Sequence, residues 1–182
     1  MSATLAAAIN ITGSGSLSDP SSSTEPSSAV ESVNIGTTLS AIAIAYTSGT
    51  GNSQGNQWYC AQRTVTAGGN VDLDLNGSLT NKITGAGTIA FTKIRCLLIV
   101  LRSKVASTDY LKVGPQAVAN GWVGPFSVAT ANGWIRVDRL CLLENPTDDG
   151  IGAVTAGTAD VLRLNNPGAN NITVDVWALG VE

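Results

Sequence analysis

Short apolar runs separated by turn signals make up most of the sequence. One run alternates Val71, Leu73 and Leu75 with two aspartates and ends at Asn76-Gly77. A period of two residues places alternate side chains on opposite faces of a strand, and Asn-Gly is a frequent hairpin turn. About nine such runs without a long helical pattern predict an all-β fold, a jelly-roll-like β-sandwich. The other predicted strands lie within residues 37–49, 56–69, 87–103, 110–113, 123–128, 134–143, 161–164 and 172–179.

The most hydrophobic run lies within residues 87–103 and reads GTIAFTKIRCLLIVLRS. Because its apolar side chains occur at consecutive positions, a strand here buries both of its faces. A buried helix is the alternative, but the β-branched residues and the flanking glycines favour a strand. We therefore expect a central strand that lies between its own core and another layer.

The N-terminal part of the chain has a different composition. Residues 12–28 contain eight serines, two prolines and no aromatic residue. Such a segment buries too little apolar surface to fold by itself. The sequence therefore predicts an extended Ser/Pro-rich arm over residues 1–33 and a β-sandwich domain over residues 34–182. We expect a partner or a neighbouring copy to hold the arm, and an arm folded back on its own domain is the alternative.

Charge and composition argue against several classes of function. Charged residues make up 13% of the chain and hydrophobic residues 43%, and the formal net charge is −3. The ten basic residues are scattered, which argues against a nucleic-acid partner. The apolar run at residues 96–101 is too short to cross a bilayer, and the first residues lack the basic start of a secretory signal. We expect no membrane association, and assembly in a reducing cytoplasm.

The three cysteines, Cys60, Cys96 and Cys141, lie in or beside apolar runs. They have no CxxC spacing, and their odd number argues against a disulfide framework. We therefore expect buried free thiols.

No constellation in the sequence indicates catalysis, a metal site or a cofactor. The chain has no histidine, the commonest general base and metal ligand. The acidic loop at residues 144–149 lacks the spacing of a calcium site, so we expect a solvated loop. Strand alternation explains the pair Asp72 and Asp74, although hydrolysis by two carboxylates is the remaining enzymatic alternative.

The tryptophans raise a separate functional question. Residues 119–134 read ANGWVGPFSVATANGW and contain the triplet Asn-Gly-Trp twice. Because Asn-Gly forms turns, each triplet predicts a turn followed by an extended run. Exposed rings at Trp122 and Trp134 would form a stacking platform for a sugar. Packing in the core or in a subunit interface is the favoured interpretation, since only 5% of the residues are aromatic.

Three segments resemble small structural proteins of tailed-phage virions. Their strand pair, with a Gly-rich loop before an F-x-K-I entry, is similar to VDLDLNGSLTNKITGAGTIAFTKIRCLLI. The segment that follows it in these proteins is similar to TDYLKVGPQAVANGWVGPF. Their ending resembles GIGAVTAGTADVLRLNNPGANNITVDVWALG, except that Trp177 stands where a smaller aliphatic residue is usual. The resemblance covers about residues 70–180 and indicates a jelly-roll protein of the capsid decoration (cement) or head-fibre kind.

This resemblance implies a homotrimer on the outside of an icosahedral shell, with an arm that reaches neighbouring subunits. It implies the major capsid protein and further copies of the chain as partners. We therefore predict a non-enzymatic decoration protein on the capsid exterior, which binds and stabilises the head through its N-terminal arm. The alternative is a carbohydrate- or receptor-binding module of a head or tail fibre. The residues predicted at interfaces are Ile9, Ile11, Leu17, Val30, Trp58, Trp122, Trp134 and Trp177.

Overall fold

The computed structural model of the chain describes residues 6–11, 14–15, 33–34, 42–80, 88–106, 108–126 and 132–182. Within these residues the regular structure is all β apart from one 3-10 helix, so the predicted all-β class is confirmed. The chain forms two compact units, one of Ala6–Ala45 and one that contains Tyr46–Glu182.

The strands, in chain order, are β1 (Ala6–Ile11), β2 (Ser14–Gly15), β3 (Val33–Asn34), β4 (Ile42–Ser48), β5 (Gln54–Gly55), β6 (Gln57–Val65), β7 (Asn70–Asp74), β8 (Asn76–Thr80), β9 (Thr88–Ala90), β10 (Lys93–Ser103), β11 (Leu111–Gly114), β12 (Ile135–Val137), β13 (Leu140–Glu144), β14 (Gly152–Ala153), β15 (Val161–Asn165) and β16 (Ile172–Val181).

The smaller unit contains β1, β2, β3 and the beginning of β4. Strands β2 and β3 form an antiparallel pair. The predicted interface residues Ile9 and Ile11 lie in β1, whereas Leu17 and Val30 lie outside the described residues. The boundary at residue 33 and the role of these four residues stay predictions.

A five-stranded antiparallel sheet forms one layer of the larger unit. Its strand order is β13-β10-β16-β6, and β14 pairs with the beginning of β10. Strand β10 therefore lies inside the sheet, as predicted for the most hydrophobic run. It carries apolar side chains on both faces, because Leu97 and Ile99 belong to the core while Leu98 and Val100 alternate with them.

A four-stranded antiparallel sheet of order β12-β11-β15-β7 forms the second layer. Leu73 of β7 is buried and lies opposite Leu162 of β15. On the other side of the same strand, Asp72 bonds to Arg163. The alternation predicted for residues 71–75 is therefore confirmed.

One hydrophobic core joins the two sheets, which makes the larger unit a β-sandwich. Burying one Val, Leu or Ile side chain stabilises the folded state by about 1.5–3 kcal/mol, so the core residues dominate the stability of the unit. The core includes Leu97, Ile99, Val174 and Val176 of the five-stranded sheet and Leu111, Val113, Leu162 and Leu164 of the four-stranded sheet.

Three predicted strands differ from the structure. The run at 87–103 is two strands, since β9 pairs with β8 and β10 belongs to the five-stranded sheet. Residues 123–128 were expected to be extended, but Gly124–Phe126 form the 3-10 helix. Pro125 has no N–H to donate to a neighbouring strand, and Gly124 has a φ of 36°. The run at 134–143 is not one strand but two, since β12 joins the four-stranded sheet and β13 the five-stranded sheet.

Candidate functional site

The five-stranded sheet has a second apolar face, on the side away from the core. On its two central strands Leu98 lies opposite Trp177. The same row continues to Leu142 on β13 and to Cys60 on β6, and all four side chains are partly exposed. We call this surface the apolar outer face, and it consists of Trp58, Cys60, Leu98, Val100, Leu140, Leu142, Trp177 and Leu179.

One end of the apolar outer face is closed by the same unit of the chain. The Tyr46 hydroxyl donates to the Glu144 carboxylate at 2.9 Å, and the Tyr46 side chain is only 3% exposed. Burial, together with the bond to Glu144, raises the pKa of Tyr46 far above its ordinary value. A Cβ atom on Gly55 would lie 2.8 Å from Leu179 Cδ2, so the glycine lets β5 approach this face. The opposite end stays open, and Leu140 there is 50% exposed.

Asp175 is a buried carboxylate within the apolar outer face. It accepts a hydrogen bond from Gln62 Nε2 at 3.0 Å and forms an ion pair with Arg102. Burial alone would raise the pKa of Asp175, but the hydrogen bonds from Arg102 and Gln62 outweigh it and lower the pKa. Arg102 therefore neutralises the negative charge of Asp175 within this face.

The four tryptophans occupy three different environments. Trp58 and Trp177 lie on the apolar outer face, on the neighbouring strands β6 and β16. Trp122 has no exposed surface and packs in the core with its edge toward Phe126. A role for Trp122 at an interface or in a sugar platform is therefore corrected, because its ring is not accessible. Trp134 is partly exposed on the other sheet.

The side of the four-stranded sheet away from the core is polar. Lys112 lies opposite Arg136, and each cation stacks on a ring. The ammonium of Lys112 is 4.4 Å from the Trp134 ring centroid, and the guanidinium of Arg136 is 4.1 Å from that of Tyr110. We call this surface the polar outer face, and it consists of Asn70, Asp72, Tyr110, Lys112, Gln116, Trp134, Arg136, Asp138, Arg163 and Asn165.

Arg95 is a buried cation that organises the end of the five-stranded sheet. It lies at a β-bulge in β10, and its guanidinium donates to the carbonyl oxygens of Thr50, Gly51 and Gln54. It also reaches the exposed carboxylate of Asp148 at 3.3 Å. The shallow recess beside it has a volume of about 470 Å³. Two basic and two acidic side chains line that recess and balance its charge, namely Lys93, Arg95, Asp148 and Glu182.

No family model, curated protein or solved structure matches the chain. Its candidate sites therefore rest on geometry and on the sequence resemblance.

The described residues include no group of three or more His, Cys, Asp or Glu side chains placed to hold a metal ion. None of the helical structure in these residues is long and apolar enough to cross a membrane. None of the three cysteines, all of which lie in the described residues, forms a disulfide, and Cys96 alone is fully buried. Burial raises the pKa of Cys96 to about 12, with a further contribution from Glu144.

Sequence reasoning missed Leu98 and Leu142 on the apolar outer face and Tyr110 on the polar outer face. Alternation contains the signal for Leu98, because a strand that buries Leu97 and Ile99 in the core must direct Leu98 to the other side. The same alternation contains the signal for Tyr110, because a run that buries Leu111 and Val113 in the core directs Tyr110 and Lys112 to the other side. The arrangement as a whole is suited to association, with an apolar surface on one sheet and a polar surface on the other.

Proposed function

We propose that the chain is a non-enzymatic structural protein of a tailed-phage virion, a jelly-roll sandwich that decorates and stabilises the assembled head. It forms a homotrimer and binds the major capsid protein through its N-terminal arm. It is assembled in the host cytoplasm and acts on the capsid exterior, without a nucleic-acid, membrane or cofactor partner.

The observation that carries this proposal is the apolar outer face. Contiguous exposed apolar surface of several hundred Å² marks an interaction site. Four partly exposed apolar side chains, Cys60, Leu98, Leu142 and Trp177, form one continuous row across the four strands of this face. Trp58 and Trp177 lie on this surface, and tryptophan is a favoured interface anchor.

The topology and the resemblance support the jelly-roll part of the proposal. Neighbours in the five-stranded sheet are distant in the chain, as in Greek-key and jelly-roll connections. The segments that resemble virion proteins supply strands β7 to β11 and β14 to β16, which include most of both sheets.

Closed symmetry and mass action explain how such a protein would work. A ring of three copies is closed by head-to-tail interfaces, in which the apolar outer face of each copy packs against a second patch of its neighbour, and the trimer presents three arms at once. Three weak arm contacts act together at high effective concentration. A ligand that binds the assembled shell and not its loose subunits stabilises the shell.

The subunit interface is tested with the full chain by native mass spectrometry. Trp177→Asp places a charge in the middle of the apolar outer face, and we expect the trimer to dissociate to monomers. Ala169→Asp adds the same charge at an exposed position in the loop before β16 and should leave the trimer intact. A Trp177→Asp variant that stays trimeric would show that this face is not the interface.

Head binding is tested with purified phage heads that lack the decoration protein. The full chain should saturate these heads and raise the temperature at which they release DNA. A variant that lacks residues 1–33 should remain folded by circular dichroism yet fail to bind. Saturation of the heads by the truncated variant would contradict the role of the arm, and no binding by the full chain would contradict the function.

A further inference from the structure

We propose that the acidic loop at residues 144–149 of one copy docks on the open end of the apolar outer face of the next copy. This inference rests on the proposed homotrimer, and it names the second patch that each head-to-tail interface requires. The partner is therefore a second copy of the same chain, and its recognition depends on opposite charges.

The charges of the larger unit are separated along the direction of its strands. Among the described residues, the half that contains the end of β10 has more cations than carboxylates, and we call it the basic half. It contains Arg63, Arg102, Lys104, Lys112, Arg136, Arg139, Asp109, Asp138 and Asp175. The acidic half, at the beginning of β10, contains Lys93, Arg95, Asp74, Glu144, Asp148, Asp149, Asp160 and Glu182. Because the two halves have opposite net charges, one copy is complementary to the next when they meet head to tail.

Hydrogen bonds hold the acidic loop in one conformation. The side-chain oxygen of Asn145 accepts from the N–H of Thr147 at 3.1 Å and from its hydroxyl at 2.8 Å. The N–H of Ser53 donates to the carbonyl oxygen of Pro146 at 2.7 Å, which ties the loop to the connection before β5. Asp149 is exposed and forms no ion pair with any other described residue. An unpaired carboxylate on a loop that is already ordered loses little entropy when a cation binds it.

The open end of the apolar outer face carries the complementary groups. Leu140 there is 50% exposed. Its neighbour Arg139 is also exposed and forms no ion pair within the described part of the chain, whereas Arg102 is already paired with Asp175. This corner therefore offers one unpaired cation beside exposed apolar surface. The acidic loop offers an unpaired carboxylate and, at Pro146, a partly exposed apolar ring.

A second copy fits this corner better than a different protein does. An unrelated acidic protein would use the basic half alone and would leave the exposed carboxylates of the acidic loop unused. Two copies that met with the same halves together would bring like charges into contact, which is unfavourable. Head-to-tail contact uses both surfaces of every copy, and such contacts close into a ring.

The test measures the dissociation of the full-chain trimer by sedimentation equilibrium. The salt concentration is about 0.15 M, at which charges further apart than about 8 Å are largely screened. Asp149→Arg makes both surfaces of the contact basic, and Arg139→Asp makes both acidic. Each variant should raise the concentration at which the trimer dissociates by about tenfold or more. The double variant Asp149→Arg/Arg139→Asp exchanges the two charges, so it should recover the affinity of the original chain.

Ala169→Asp separates a local contact from a general effect of charge. It adds a carboxylate to the basic half on the connection before β16, away from the corner of Arg139 and Leu140, and should leave the trimer intact. Far-ultraviolet circular dichroism checks that every variant is folded. An unchanged trimer in either single variant, or no recovery in the double variant, would overturn this contact and leave the proposed trimer standing. An original chain that is not trimeric would instead overturn the proposed trimer, and this contact with it.

Discussion

The indole Nε1 of Trp122 donates a hydrogen bond to the carbonyl oxygen of Ala153 at 2.8 Å. The backbone N–H of the same residue donates to the carbonyl oxygen of Val161 at 2.8 Å. Ala153 lies in β14, which pairs with the five-stranded sheet, whereas Val161 begins β15 of the four-stranded sheet. One residue therefore ties the two layers of the sandwich together.

Trp122→Phe keeps an aromatic ring but removes the indole N–H, so Ala153 loses the donor for its carbonyl oxygen. We expect the free energy of unfolding to fall by about 1–3 kcal/mol, and by about 3–5 kcal/mol for Trp122→Ala, which also leaves a cavity. Urea unfolding followed by far-ultraviolet circular dichroism measures both. Trp134→Phe on the polar outer face should cost less than about 1 kcal/mol. If Trp122→Phe proved as stable as the original chain, the hydrogen bond to Ala153 would not contribute measurably to the free energy of unfolding.

Arg95→Met should destabilise the unit by about 2–4 kcal/mol, because three loop carbonyl oxygens lose their donor. The effect should be greatest in the loop before β5. There the backbone N–H of Gln54 donates to the carbonyl oxygen of Gly51, and the hydrogen exchange of this N–H should become faster. Arg95→Lys keeps the charge but not the planar fork of donors, so it should recover only part of the stability.

Asp148→Asn is the matched control for the Arg95 variants. The Asp148 side chain is 69% exposed, so its ion pair with Arg95 contributes little in water. We expect a change within about 0.5 kcal/mol. A loss as large as that of Arg95→Met would mean that the ion pair, and not the carbonyl contacts, holds the loop.

Periodicity predicted the strands well but not the sheet to which each belongs. In the run at 134–143 the inward positions are Ile135 and Val137, then Cys141 and Leu143. The alternation keeps its phase where the chain crosses from one sheet to the other, and only the exposed Arg139 interrupts the inward row. Only long-range pairing distinguishes β12 from β13, and a single sequence does not contain that pairing.

The location of a site residue was predictable where its residue type and strand pattern determine it, and not where contacts from distant parts of the chain determine it. Trp177 stood out as a large ring in an apolar strand, and it does lie on an outer face. Trp122 and Trp134 share the same local triplet, yet one is buried and the other partly exposed. Arg95 borders an apolar run in the sequence, and only the bulge in β10 and the loop carbonyls allow it to be buried.

Asp109 makes the stability of the domain depend on pH. Its buried carboxylate accepts bonds from the N–H groups of Ala106 and Val105 and from Asn170. The bond from Ala106 is the largest cause that lowers the pKa of Asp109 below its ordinary value. The folded state therefore binds its proton less readily than the unfolded state. The resulting stability is present above the unfolded pKa of about 4 and is lost as the pH falls through the lower folded value.

Asp109→Asn should therefore lower the urea midpoint at pH 7 and have a progressively smaller effect as the pH falls below about 4. Urea titrations at a series of pH values between 7 and 2 measure the difference. Asp138→Asn is the comparison: Arg136 also lowers the pKa of Asp138, but that carboxylate is half exposed, so we expect a smaller dependence on pH. A difference between Asp109→Asn and the original chain that stayed constant with pH would rule out the linkage.

Cys96 should be the least reactive thiol of the folded chain. Burial and the nearby Glu144 carboxylate raise its pKa to about 12, and only the thiolate is alkylated. At pH 8 its thiolate population is then about a thousandfold lower than that of an unfolded cysteine with a pKa of about 8.5. Alkylation by iodoacetamide, located by peptide mass spectrometry, should therefore leave Cys96 unmodified in buffer and modify all three cysteines in urea. Glu144→Gln should leave Cys96 protected, because burial is the larger cause of the shift, and rapid alkylation of this variant would assign the protection to the carboxylate instead.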